Sequence, residues 1–169
     1  MRINLSVNSA IEKVYKPCGF DLNALAIEKE SVEYEACRFL LNDKLIIYRT
    51  AKITPKKVGQ FVAIWKRNEK GITAPFDIKD DFDFMIINCE SGGLTGQFIF
   101  PKAVLLENQI ISSEFKEGKR GIRLYPPWDE IANKQALKTQ KWQCKYFLDS
   151  SVTSEINLDK AKFLLNSKA

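Results

Sequence analysis

Residues 82–101 read FDFMIINCESGGLTGQFIFP. Two runs of β-branched and aromatic residues, Phe82–Cys89 and Gly96–Pro101, flank a linker, residues 90–95, rich in turn formers. That pattern predicts two strands joined as an antiparallel hairpin. Pro101 ends the second strand, and a helix is expected to begin over Lys102–Leu106. Upstream, residues 44–50 (KLIIYRT) form another β-branched run behind Asn42-Asp43, and pair as a hairpin with a strand expected within 31–41. Residues 60–67 (QFVAIWKR) read as one further strand, with Phe61, Ala63, Trp65 and Arg67 on one face and Gln60, Val62, Ile64 and Lys66 on the other. Thr54-Pro55 breaks the chain before it and could open a helical turn. Residues 121–125 (GIRLY) make a short strand stopped by Pro126-Pro127.

Helices are expected at both ends. Ser9–Tyr15 has a serine at its start and Glu12 three residues on, the capping-box spacing, and Pro17 and Gly19 follow. Residues 131–148 place Ala132, Gln135, Ala136, Thr139, Trp142, Gln143, Tyr146 and Phe147 in the i, i+3, i+4, i+7 pattern of a packed face. A weaker helix is expected over 154–166, with Ile156, Ala161, Phe163, Leu164 and Leu165. The fold class is therefore α+β: a mostly antiparallel central sheet flanked by helices.

The 169 residues suffice for one domain, 1–169, with a core over 8–148 and a helical tail over 149–169. Net charge is only +5, so its distribution matters more than its size. Lys102, Lys116, Lys119, Arg120, Arg123, Lys134, Lys138, Lys141 and Lys145 lie in the second half, interleaved with Phe98, Phe100, Tyr125, Trp128, Trp142, Tyr146 and Phe147. Cations among flat rings suit a polyanion whose bases can stack. The chain has no histidine, which excludes Ser–His–Asp and Cys–His catalysis and His-ligated zinc. Cys18, Cys37, Cys89 and Cys144 are scattered without a Cys-x-x-Cys and read as reduced, inert thiols. The N-terminal decapeptide lacks a signal-length apolar run, and no stretch approaches a membrane span, so a cytoplasmic location is expected.

Three constellations could carry function. Lys134, Lys138, Lys141 and Lys145 are spaced 4, 3 and 4, which aligns four ammonium groups along one helical stripe. No acid occurs from Asn133 through Leu148 to neutralise them. The stripe reads as a phosphate-tracking helix or as a solvated surface. Gly118-Lys-Arg-Gly-Ile-Arg-Leu-Tyr125 offers close backbone approach and three cations, without Walker spacing; the other reading is a basic turn and edge strand. The acidic run Asp77–Asp83 could hold Mg²⁺ or be a solvated turn. A further basic cluster comprises Arg49, Lys52, Lys56, Lys57, Lys66 and Arg67. Trp65 reads more as core than as a platform, and Trp128, beyond Pro126-Pro127, as a stacking candidate.

The blocks AKITPKKVGQFVAIWKR (51–67), PFDIKDDFDFMII (75–87), GQFIFPK (96–102), GKRGIRLYPPW (118–128) and QALKTQKWQ (135–143) resemble the MepB-like family. These are small bacterial cytoplasmic proteins, one of them encoded beside a multidrug efflux pump and its repressor. The resemblance covers about residues 8–148 and implies a core like that of PD-(D/E)XK, or restriction-endonuclease-like, proteins. Such a core uses an acid on a helix, an Asp opening one strand, and an acid-x-Lys on the next, with carboxylates on Mg²⁺ and the Lys near the attacking water. Asp83 matches the strand-opening Asp, which would make it the metal ligand, and Lys102 matches the Lys. Two residues before Lys102 stands Phe100, which cannot ligate, and Gln97 is out of spacing. Glu35 or Glu12 could supply a further acid.

The reading is a nucleic-acid-binding protein with a nuclease-like, catalytically degenerate core, DNA being favoured over RNA. Lys66, Arg67, Lys119, Arg120, Arg123, Lys134, Lys138, Lys141 and Lys145 would contact phosphates, and Tyr125 and Trp128 would stack or position. The alternatives are a Mg²⁺-dependent nuclease using Asp83, Lys102 and Glu35, and an accessory protein linked to multidrug resistance that binds a protein or small molecule. No cofactor is expected unless the chain cuts.

Overall fold

The computed structural model describes residues 5–151 and 154–166. Residues 1–4 of the N-terminal decapeptide, 152–153 and 167–169 of the tail, and the Leu5 and Ile156 side chains lie outside the described residues. The strands in chain order are β1 (Leu22–Ile27), β2 (Cys37–Leu41), β3 (Lys44–Thr50), β4 (Lys52–Ile53), β5 (Gln60–Ala63) and β6 (Trp65–Arg67). They continue as β7 (Thr73–Pro75), β8 (Phe84–Ser91), β9 (Leu94–Pro101), β10 (Gly121–Leu124) and β11 (Phe147–Asp149). The α-helices are α1 (Leu5–Ala10), α2 (Lys102–Glu107), α3 (Lys134–Gln143) and α4 (Glu155–Leu165).

A six-stranded sheet in the order β1-β2-β3-β8-β9-β11 forms the centre. All its pairings are antiparallel except β3 with β8, which run parallel with Ile46 opposite Phe84. A mostly antiparallel sheet with helices at its flank is the expected α+β class. The β8–β9 hairpin is in register from Phe84↔Pro101 to Ser91↔Leu94, and Gly92 turns it at φ +61°. Its strands read as continuous apolar runs because both faces are covered. On one face Ile46, Tyr48, Phe84, Ile86 and Ile99 pack against Val7, Ala10, Val14 and Tyr15 of the N-terminal helix and Ala161, Leu164 and Leu165 of α4. On the other, Ile47, Met85, Ile87, Phe98 and Phe100 pack against Val104 and Leu105 of α2 and Val62, Ile122 and Leu124. The last three belong to a small second sheet, β10-β5-β4.

Several expectations are corrected. The N-terminal helix begins by Leu5 and continues through a wider π-helical segment, Ile11–Tyr15, so Ser9 lies inside it and caps nothing. The apolar face from Val7 to Tyr15 extends the helix one turn upstream. Thr54-Pro55 opens a turn and no helix. The run 60–67 splits at buried Ile64, whose N–H donates to the Arg120 carbonyl at 2.9 Å, and β6 pairs with β7 in a separate ribbon. Of that run's two faces, Gln60, Val62 and Ile64 point inward. Strand β1 has no counterpart among the expectations; it joins β2 through a register shift between Asn23 and Ala26.

The expected helix over 131–148 is shorter at both ends. It spans Lys134–Gln143, tightens into a 3₁₀ turn at Cys144–Tyr146, and then becomes β11. The reason is tertiary: Phe147 pairs with Phe98 and sets its ring 4.9 Å from the Phe98 ring, edge to face. The Phe147 ring also lies over Gly96, where a Cβ would fall inside its van der Waals shell. The four cysteines are free, and burial pushes the Cys37 thiol up to about 12 and the Cys89 thiol higher still.

Gly96→Ala is expected to destabilise the protein by about 2 kcal/mol, the cost of overpacking a rigid contact. A fall in the urea midpoint without a change in slope would register it. An unchanged midpoint would show that β11 does not close the sheet edge as described.

Candidate nucleic-acid interface

Helix α3 starts at Asn133, whose side-chain oxygen accepts from the N–H groups of Gln135 (2.8 Å) and Ala136 (3.1 Å). Its far end is bolted to the second sheet. Gln143, 1% exposed, accepts from the Tyr125 N–H at 3.0 Å and donates to the Arg123 carbonyl at 3.1 Å. Gln140 donates to the carbonyls of Pro126 and Asp129, each at 3.0 Å. Trp142 sets its ring 5.4 Å from that of Phe100. These contacts fix the rotation of the helix, and Lys134, Lys138 and Lys141 are left exposed. Lys145 continues the row, exposed, from the 3₁₀ turn. None of the four is ion-paired among the described residues.

Beside this row lies a groove of about 540 Å³ between α3, β10 and the turn at Asn108–Ile110. Lys119, Arg123 and Lys138 bring positive charge to it, Tyr125 and Trp142 bring rings, and no carboxylate lines it. A second groove of about 470 Å³ shares Arg123, Tyr125, Gln135 and Thr139 and adds Lys57. Gln135, Ala136 and Thr139, expected to be packed, line these grooves instead; of that helical set within α3 only Gln143 is buried. Arg123 is held in place by donating from Nη1 to Thr54 Oγ1 (3.0 Å) and the Val58 carbonyl (3.2 Å).

The structure thus brings together Lys119, Arg123, Tyr125 and Lys138, with Lys134, Lys141 and Lys145 alongside. Three other expected phosphate contacts are elsewhere and already paired with acids. Lys66 meets Asp80 at 2.6 Å, and Arg67 meets Glu30 at 2.6 Å while lying 5.4 Å over the Trp65 ring. Arg120 meets Glu117 at 3.1 Å and the Thr73 carbonyl at 3.3 Å. Trp128, expected to stack, instead packs edge to face on Phe147 at 5.5 Å, with its Nε1 buried. The sequence reading missed Gln140 and Gln143 as docking residues, and Asn108, Gln109 and Gln135 as groove walls. Their only sequence signal is amide on a helix or turn.

The nuclease-like set is partly assembled. Asp83 opens β8 and Lys102 follows β9, so the hairpin makes them neighbours, and the Lys102 N–H donates to the Asp83 carbonyl at 3.0 Å. The Asp83 carboxylate, however, accepts from the Leu45 N–H at 2.8 Å. The Lys102 ammonium binds the Asp80 carbonyl and lies 5.0 Å from the Phe82 ring centre. Glu35 accepts from Ser6 and from Thr50, the latter at 2.6 Å. Leu45 and Thr50 mark opposite ends of β3, about 16 Å apart at strand rise, so Asp83 and Glu35 do not meet. Glu12 pairs with Lys16 on the helix surface at 2.6 Å, and Phe100 is fully buried on Phe98. Gln97 is buried opposite Asn88 and accepts from Tyr15. Among the described residues no three His, Cys, Asp or Glu side chains converge, and Asp83 and Glu35, the acids that the resemblance would pair, are each engaged at opposite ends of β3. The acidic run itself is a hydrogen-bonded turn, with Asp80 accepting from the Asp77 N–H at 2.6 Å.

A family model described as MepB-like matches residues 28–149. The crystal structure of MepB is similar at 37% identity with a TM-score of 0.74, over 76% of this chain and 87% of that one. A bacterial homing endonuclease is similar at 14% identity with a TM-score of 0.47, over 95% and 93% of the two chains. No curated protein matches the chain. Among the described residues no helix is long and apolar enough to cross a membrane.

Asp83→Ala is expected to cost about 2 kcal/mol in metal-free buffer, because the Leu45 N–H loses a charged acceptor. Asp83→Asn, which keeps an acceptor, should recover part of the loss in urea unfolding. Full wild-type stability in the alanine variant would free Asp83 for another role.

Proposed function

The chain belongs to the MepB-like family, and from that premise and the groove beside α3 we propose that it is a cytoplasmic nucleic-acid-binding protein, with DNA favoured over RNA, on a nuclease-like frame that does not cut. One observation carries the reading: a row of exposed lysines without acidic partners runs beside a groove with cations and no carboxylate. Such a row is costly unless something anionic comes to it, since like charges a turn apart repel. From Lys134 to Lys141 the helix rises about 10 Å, enough to follow about three phosphates of one strand. Lys119 and Arg123 extend the positive surface across the groove.

The non-cleaving part of the proposal rests on occupied chemistry. Asp83 is engaged by backbone, Lys102 by the Asp80 carbonyl, and the position two residues before Lys102 carries buried Phe100. A hydrolytic mechanism needs a carboxylate set on the metal and a lysine near the water, and these side chains are committed elsewhere.

Lys138→Glu combined with Lys141→Glu is expected to weaken binding to a labelled oligonucleotide at least tenfold. It should also flatten the log–log salt dependence by about two units or more. The same tubes with Mg²⁺ should hold full-length strands. Unchanged affinity would end the phosphate-row reading. Mg²⁺-dependent shortening lost in Asp83→Asn would put a nuclease in its place. Salt-insensitive binding to a protein or small molecule, with none to nucleic acid, would leave the accessory-protein reading.

A further inference from the structure

The second groove, of about 470 Å³, differs in chemistry from the first. It lies between the start of α3, the residues leading into that helix and the loop before β5. Val58, Ile131, Ala132 and Ala136 give it apolar walls, with the Tyr125 ring beside them. Val58 is 53% exposed, and a ligand filling the groove would take that surface out of water. The Tyr125 ring is pinned against Gly59, where a Cβ would come within 2.7 Å of it. Two cations, Lys57 and Arg123, stand in the same lining, and no carboxylate does. The Arg123 guanidinium is already oriented. Its Nη1 donates to Thr54 Oγ1 at 3.0 Å and to the Val58 carbonyl at 3.2 Å. Its Nε and Nη2 donate to nothing among the described residues, and Arg123 has no ion-pair partner among them. Those two nitrogens share one edge of the guanidinium, the fork that matches the two oxygens of a carboxylate.

We infer that this second groove binds a small amphipathic carboxylic acid, its carboxylate on the free edge of Arg123 with Lys57 nearby, and its apolar body against Val58, Ile131, Ala136 and Tyr125. The volume falls within the range of about 300–1,000 Å³ usual for small-molecule sites, and an apolar lining with a few fixed polar groups is their usual chemistry. A phosphodiester can take the arginine edge, but it has no apolar body and leaves Val58 and Ile131 facing water. A neutral apolar molecule fills the groove but leaves the arginine edge without an acceptor. An acid carrying apolar bulk uses both halves. The inference does not rest on the nucleic-acid reading: Arg123 is common to both grooves, but the lysine row and the amides of the first groove take no part.

The test titrates the full chain with naphthylacetate and with naphthylethanol, its neutral counterpart, by calorimetry. The acid should bind at least tenfold more tightly than the alcohol. Arg123→Lys, which keeps the charge but loses the paired donors, should weaken the acid about tenfold and leave the alcohol unchanged. Ala136→Leu, which puts a larger side chain into the groove from a helical position, should weaken the acid at least tenfold without lowering the thermal unfolding midpoint, so a folding defect is not mistaken for a filled site. Equal affinity for acid and alcohol would overturn the arginine edge as the carboxylate site. Acid binding that survives both variants would place the ligand elsewhere and overturn the groove. No heat from the acid at about 1 mM, a concentration that detects even weak sites, would overturn the inference while leaving oligonucleotide binding to be judged on its own.

Discussion

The parallel pairing of β3 with β8 constrains everything around it. Adjacent parallel strands cannot be joined by a tight turn, so the chain must cross from the end of β3 back to the start of β8. Residues 51–83 make that crossing, and they contain β4, β5, β6 and β7 in place of the usual helix. Where the crossing ends, Asp83 closes the pair. Its N–H donates to the Leu45 carbonyl at 2.8 Å and its carboxylate accepts from the Leu45 N–H at the same distance. Its own carbonyl accepts from Lys102, so one residue joins the starts of β3, β8 and α2. The small sheet carried by the crossing covers one face of the main sheet, and β10 completes it from downstream. The grooves exist because α3 is then docked against β10 and leaves a gap there.

Charge is sorted along the same lines. Three cations on or next to the crossover find acids: Lys66 with Asp80, Arg67 with Glu30, and fully buried Arg49 with Glu28 at 2.7 Å, which also accepts from Arg38. Burying Arg49 is tolerable because its guanidinium also donates to the Tyr48 carbonyl. Burial nonetheless lowers its pKa, with Glu28 opposing the shift. Around α3 no such neutralisation occurs. A net charge of +5 understates the positive field there, since Lys134, Lys138, Lys141 and Lys145 share one side of one helix with no acid between Asn133 and Leu148.

The hairpin of β8 and β9 was legible because its signal is local: β-branched and aromatic runs around a glycine turn. The β2–β3 hairpin was legible for the same reason, with Asn42 turning at φ +53°. β11 was not, because Phe147 and Leu148 continue a helical spacing and leave it only to meet β9 across the sheet. Nor was the break at Ile64, which follows from a hydrogen bond to a residue 56 positions away. The lysine row could be read from spacing alone, since i, i+4 neighbours share a face whatever the tertiary structure. The groove could not, because its walls come from three separated segments. Lys66, Arg67 and Arg120 looked equivalent to Lys119 and Arg123 in sequence; only the fold reveals which of them have an acid within reach.

The Asp83–Lys102 neighbourhood can be explained without catalysis. A carboxylate at the mouth of a parallel pair offers an acceptor to an N–H that lies just before the ladder begins and would otherwise be left unpaired. A lysine after a buried strand can lay its chain over Phe82 and cap a turn carbonyl. Both roles are available in any chain with this topology, and both require the side chains to stay where they are. A metal ligand must instead leave an oxygen open toward other ligands, and Glu35, the further acid that the resemblance offers, is held at the far end of β3 by Ser6 and Thr50. The residues that bear the nuclease-like pattern are engaged within the frame: Asp83 by the Leu45 N–H, Lys102 by the Asp80 carbonyl, and Glu35 by Ser6 and Thr50. Along α3 the chain leaves four exposed lysines with no ion-pair partner among the described residues, beside a groove whose lining includes no carboxylate.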